Sequence, residues 1–247
     1  MIYLYNVGAV KVMELERHPA NAMDIQFLRY FLQCLISVEK ESAVKTVVIS
    51  SKCKAVFSSG LDLGGMSAGK NYEVSIRIIR AVSLVHKISK KIISSKKIYI
   101  AAINGAAIGS AVTIAMACDI RLLSRAAWFW LPDPMYGGLL ADGGLDLIKN
   151  SAGAANAKRL CMTVRRINAG QINDMGLAQM SADKDTVGAS MEMAQRISSY
   201  SYGTLAATKA IINRGSLGRV NRLALIRAAH SKDMRARIAK YVLNSDV

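Results

Sequence analysis

The chain has 247 residues, enough for one large α/β domain or a core with a small appendage. A hydrophobic share of 52%, with 18 glycines and three prolines, excludes a disordered chain, a collagen and a proline-rich linker. Its 33 Lys+Arg against 17 Asp+Glu leave a formal charge of +16, which points to an anionic partner: nucleic acid, a membrane surface or a phosphorylated small molecule.

In chain order, Ile2–Glu16 alternates Val10, Val12 and Leu15 with Lys11 and Glu14, as a strand or hairpin does. Asp24 is placed to cap a helix in which Ile25, Leu28, Phe31, Leu32, Leu35 and Ile36 recur at helical spacing. Val47–Ser50 is a short apolar strand. Ser58–Gly69, rich in Ser and Gly, is a loop. Ile78, Val82, Val85 and Ile92 mark one face of a second long helix.

Ile98 to Cys118 carries no charge over 21 residues, long enough to cross a bilayer. Its β-branched first part, the glycines in its middle and its Ala/Met-rich end read better as a buried strand (Ile98–Ile103), a turn and a buried helix (Gly109–Ala117). Asp119–Leu123 is again a strand. The alternation implies a largely parallel sheet covered by helices. The Pro- and Gly-rich Leu131–Gly144 is a functional type of loop. From Ala154 onward the pattern is almost entirely helical, with Gly176 and Gly215 as punctuation.

The four cysteines (Cys34, Cys53, Cys118, Cys161) form no CxxC pair, so a reducing compartment is expected and a zinc site is not. The first residues lack a basic segment followed by an apolar run, so no signal peptide is expected.

Two glycine turns follow strands: Phe57-Ser-Ser-Gly-Leu-Asp-Leu63 and Asn104-Gly-Ala-Ala-Ile-Gly-Ser110. Turns at the carboxyl ends of parallel strands are where α/β sheets bind ligands. Side by side, they would offer two converging backbone N–H groups, the usual form of an oxyanion hole. Alternatively, the glycines simply make turns. There is no GxGxxG, no GxxxxGK[ST] and no GxSxG.

Residues 57–63, Ile100–Ser110 and Ala115-Met-Ala-Cys-Asp-Ile-Arg121 resemble the enoyl-CoA hydratase/isomerase (crotonase) superfamily. Pro19…Asn21-Ala22-Met23 is similar to its first CoA-binding turn, and Asn168-Ala-Gly-Gln…Met175-Gly-Leu to its later helix-then-strand element. The resemblance covers roughly residues 5 to 240. It implies an α/β fold, a spiral of ββα units over 1–190, with a helical C-terminal trimerisation region over 191–247. It further implies an acyl-CoA or acyl-carrier-protein thioester as partner, with coenzyme A entering as part of the substrate, no separate cofactor and no metal. The assembly would be a homotrimer or hexamer in the cytoplasm, with no membrane.

By match, the N–H groups of Leu61 and Ser110 hold the thioester oxygen as it becomes an enolate. Ala20, Ala22, Ser59, Gly60, Asp62, Leu63, Ala106, Ile108, Gly109 and Thr113 line the thioester and CoA path. Gly109-Ser110-Ala111 stands where relatives often have three glycines; a backbone donor tolerates the serine. Hydratases of the family use two glutamates. Here the first position is Thr113, which cannot titrate, and the second is Asp133. One acid suits a 1,3-proton shuttle, so double-bond isomerisation is favoured over hydration, decarboxylation or C–C hydrolysis.

Asp142 lies near where some relatives carry a functional aspartate. Two aspartates on one loop can act as acid and base, so both Asp133 and Asp142 are candidate catalytic residues; a turn or cap is the other reading for Asp142. Trp128, Trp130 and Tyr136 line an acyl pocket or belong to the core. The three histidines match no catalytic position.

Lys87, Lys90, Lys91, Lys96 and Lys97, and nine Lys+Arg within 201–247, form basic tracts. Part of this excess can meet the phosphates of CoA. A non-catalytic, RNA-binding member is the rival reading, disfavoured because no aromatics interleave the lysines.

Overall fold

The computed structural model describes residues 1–182 and 185–213. Gly215, His230, the basic tract beyond Asn213, and the apolar residues Leu223, Ile226, Ile238 and Val242 expected to support assembly lie outside the described residues.

The chain opens with a hairpin, β1 (Ile2–Val7) and β2 (Val10–Leu15), followed by helix α1 (Ile25–Lys40). Asp24 caps α1, its carboxylate accepting from Phe27 N at 2.7 Å. Three ββα units follow. The first is β3 (Thr46–Ser51), β4 (Val56–Ser58), a one-turn helix α2 (Leu63–Met66) and α3 (Asn71–Ser94). The second is β5 (Ile98–Ile103), β6 (Ala106–Ile108) and α4 (Ser110–Ala117). The third is β7 (Ile120–Leu123), β8 (Trp128–Trp130), a 3-10 turn at Asp133–Tyr136 and α5 (Gly144–Thr163). Then come β9 (Ile167–Asn168), α6 (Ala169–Asp174), β10 (Gln179–Met180), α7 (Thr186–Ser198) and α8 (Tyr202–Ile212).

The first strand of each unit joins one sheet, in the order β1-β2-β3-β5-β7-β10, and the second strand joins another, β4-β6-β8-β9. Apart from β1/β2 and β8/β9, every pairing is parallel. Stacked repeats of this kind make a spiral, and each βα turn emerges on the same side of the sheets. That places the turns after β4, β6 and β8 next to one another.

The inner strands β2, β3 and β5 of the larger sheet are buried on both faces, as in parallel sheets covered by helices. Along β5, Tyr99, Ala101 and Ile103 join the main core with α1, α3 and α4, whereas Ile100 and Ala102 pack with Val10, Val48 and Ala194 under α7. The uncharged stretch from Ile98 is thus strand β5, strand β6 and the fully buried helix α4, and no helix among the described residues is long and apolar enough to cross a membrane.

Three expectations change. The loop 58–69 contains a helical turn, because Asp62 caps α2 by accepting from Gly65 N at 2.9 Å. The region after Ala154 holds two strands of two residues each, too short to leave a periodic signal. Lys97 is buried, its Nζ donating to the Glu41 and Val44 carbonyls at 2.7 and 2.6 Å, so it is unavailable to a phosphate; burial pushes its pKa down.

Candidate functional site

Backbone hydrogen bonds zip the first turn to the loop after β4. Met23 N donates to Gly60 O at 2.8 Å, Asp62 N to Met23 O at 3.0 Å and Ser59 N to Ala20 O at 2.9 Å. Beneath them Asn21, fully buried at a φ of 51°, donates from Nδ2 to Ser51 Oγ at 2.7 Å and to Phe57 O at 3.0 Å. Arg17 locks the outside, pairing with Asp24 at 2.8 Å and Asp62 at 3.2 Å and donating to Ala22 O. The predicted residues Ala20, Ala22, Ser59, Gly60 and Asp62 are therefore one cluster. Leu63 opens α2 beside it.

This cluster abuts the turn after β6. Gly60 has a φ of +81°, and a Cβ there would lie 2.4 Å from Ile108 O and 3.5 Å from Ser110 N. The two glycine turns thus meet, as the sequence suggested, and only glycine fits. We expect Gly60→Ala to cost about 1–3 kcal/mol, the usual penalty for overpacking, and to separate the turns; thermal melting checks the first effect.

Gly109, at a φ of 53°, precedes Ser110, the first residue of α4. The first N–H groups of a helix have no intrahelical acceptor. Neither Leu61 N nor Ser110 N has a backbone acceptor among the described residues. Two such donors beside a helix start can hold a developing oxyanion.

Asp133 sits in the 3-10 turn after β8, its Oδ2 3.8 Å from where a Gly109 Cβ would be. Oδ2 is shielded from solvent and has no hydrogen-bond partner. Burial, then the nearby Asp142 charge, push its carboxyl up to about 7. A carboxyl with that value is about half ionised at neutral pH, and its anion is basic enough to take a proton, as a general base requires.

Asp142 is fully buried and occupied. Ser110 Oγ donates to its Oδ2 at 2.7 Å, Thr113 Oγ1 to its Oδ1 at 2.8 Å and Gly144 N to its Oδ1 at 3.0 Å. Its pKa is raised overall, because burial pushes it up more than these donors pull it down. The Thr113 hydroxyl is consequently turned to Asp142, and Thr113 itself is wholly buried.

Asp133 opens onto a cavity of about 590 Å³. Among the described residues, Leu131, Leu139, Leu140 and Leu145 wall one part; Ala154, Ala157, Cys161 and Met162 of α5 wall the other; Asp146, Lys149 and Lys158 complete the lining. α5 breaks at Gly153 (φ 77°, ψ 162°), which lets its second half take its own direction. Sequence reasoning missed this wall, although Ala154, Ala157 and Cys161 recur at helical spacing. Of the predicted site residues, Asp133 alone lines the cavity. Burial and the Asp133 charge push the Cys161 thiol up to about 11, so it is a neutral lining group.

The aromatic residues go elsewhere. Tyr136 packs with Val74, Ile78 and Val82, and Arg166 lies over the rings of Trp128 and Trp130 at 4.7 and 4.8 Å. His86 Nδ1 lies 3.1 Å from the Asp142 backbone carbonyl, and the exposed His18 lies 3.7 Å from Glu16.

The short-chain-enoyl-CoA hydratase of Clostridium acetobutylicum is 28% identical over 216 residues, 87% of this chain and 81% of that protein. A peroxisomal Delta(3,5)-Delta(2,4)-dienoyl-CoA isomerase of Arabidopsis thaliana is 30% identical over 64% of this chain and 59% of its own length. An enoyl-CoA hydratase/isomerase structure from Mycobacterium paratuberculosis shares the fold with a TM-score of 0.86, at 21% identity and with 97% of each chain covered. The sequence profile of the enoyl-CoA hydratase/isomerase family matches residues 6–235, and the chain belongs to that family.

Proposed function

We propose that this protein is an enoyl-CoA isomerase that shifts a double bond in an acyl-CoA or acyl-carrier-protein thioester. The N–H groups of Leu61 and Ser110 receive the thioester oxygen. Asp133 takes a proton from C2 of a 3-enoyl chain, and the electron pair moves onto the thioester as a dienolate held by the two donors. Asp133 then returns the proton to C4, leaving the 2-enoyl isomer. The acyl chain lies in the cavity beyond Asp133, whose lining is mostly aliphatic.

The observation that carries this reading is the different state of the acids. Asp133 keeps an unpartnered Oδ2 at the cavity, whereas Asp142 and Thr113 are bonded to each other away from it. Hydration needs a second group to orient water, and Thr113, with its hydroxyl engaged, supplies none. A cytoplasmic homotrimer or hexamer belongs to the same reading; the exposed Tyr200 and Ile211, 52% and 65% accessible, favour assembly at the C-terminal end. Sedimentation as a lone monomer at micromolar concentration would refute the assembly.

The test is a 3-enoyl-CoA offered to the purified protein, with absorbance reporting the conjugated 2-enoyl thioester. We expect conversion, and kcat/KM rising with pH through a limb near 7, since Asp133 must be ionised to act. No conversion across a series of chain lengths would overturn the reading.

A further inference from the structure

Asp142 has no place in the proton path above, yet three donors converge on it and none of its surroundings competes for them. These donors favour the anion and oppose the burial that raises the Asp142 pKa. Asp133 has the opposite surroundings: a shielded oxygen with nothing to donate to it. Two neighbouring carboxyls in such different settings divide their roles, one keeping the charge and the other the proton.

The bonds to Asp142 also join two pieces of the site. Ser110 and Thr113 form the first turn of α4, which carries the Ser110 N–H, and Gly144 starts α5, which walls the cavity. The position is closed: a Cβ at Gly144 would lie 2.2 Å from Thr113 Oγ1 and 3.1 Å from Asp142 Oδ1.

We propose that Asp142 is a positioning residue: it ionises before Asp133, fixes the first turn of α4 through Ser110 and Thr113, and by its charge sets when Asp133 gives up its proton. This rests on Asp133 being the proton carrier. The other groups facing Asp133 come from α5, where Asp146, Lys149, Lys158 and the neutral Cys161 thiol line the same cavity. From α3, His86 reaches only the backbone carbonyl of Asp142. The direction agrees: the Asp142 charge, after burial, raises the Asp133 carboxyl.

Carbon-13 NMR of the aspartate carboxyls in the full chain tests this, with the Asp133 signal identified by its loss in Asp133→Asn. In the natural sequence Asp133 should titrate near 7. In Asp142→Asn its midpoint should fall toward the ordinary carboxylate range. The acid limb of kcat/KM for isomerisation should move the same way by the same amount.

An Asp142 that merely braces the loop would lower the melting temperature and leave the Asp133 midpoint in place; that result overturns the proposal. Because the titration needs no substrate, a chain without isomerase activity would sink the proposed function and leave this result readable. If Asp142→Asn does not fold, Thr113→Val removes one donor and keeps the charge. The Asp142 midpoint should then rise, and an unmoved midpoint would equally overturn the proposal.

Discussion

Replacing Asp133 by asparagine is expected to lower turnover on a 3-enoyl thioester by roughly 10²–10⁴, the range for losing general acid–base catalysis. Shape and volume are nearly kept, and the thioester is held by other groups, so KM should barely change. The folded protein should not suffer either. Asp133 titrates higher in the folded state, about 7, than its ordinary value of 3.8, so the folded chain holds its proton between those limits. Any stability linked to this group is therefore fully present below 3.8 and is lost as pH rises through about 7. The asparagine side chain carries no such dependence. Above neutral pH the variant should melt at the same temperature as the natural protein or higher, while its activity is nearly gone. Loss of both together would mean that Asp133 is part of the framework.

The second large effect is expected at Ser110. Ser110→Pro removes the backbone N–H and should cost on the order of 10²–10³ in kcat, as losing one oxyanion donor does. Ser110 is the first residue of α4, where proline is tolerated because its missing N–H would have no intrahelical acceptor. The variant also loses the hydroxyl that donates to Asp142, and Ser110→Ala isolates that part. The alanine variant should stay within a few-fold of the natural protein. A comparable collapse in both would show that the hydroxyl, not the N–H, carries the effect.

The sequence made the framework legible where burial is two-sided and long. The apolar run of β5 and the helical spacing of α1 and α3 marked these elements, and the glycines that follow β5 told against a membrane span. The two glycine turns could be paired because each follows a strand at the same sheet end, a consequence of parallel topology. Strands of two or three residues, such as β8 and β9, carry no period to detect.

The cavity was hidden for a different reason. Its wall comes from α5 beyond the break at Gly153, and a positive-φ glycine within a helical pattern does not reveal where the second half turns. Nor did residue types show that Asp142 is enclosed by Ser110 and Thr113. From the sequence, Asp133 and Asp142 were two carboxylates on one loop; only the fold shows that one is satisfied and the other is not.

The central claim is that one acid, Asp133, moves a proton within the substrate and that nothing here adds water. The mass of the products formed from matched 2-enoyl and 3-enoyl thioesters tests it most directly. The account predicts that mass is unchanged for both and that the two isomers interconvert to the same mixture. Rapid formation of a product heavier by one water, with no interconversion of the double-bond isomers, would contradict it.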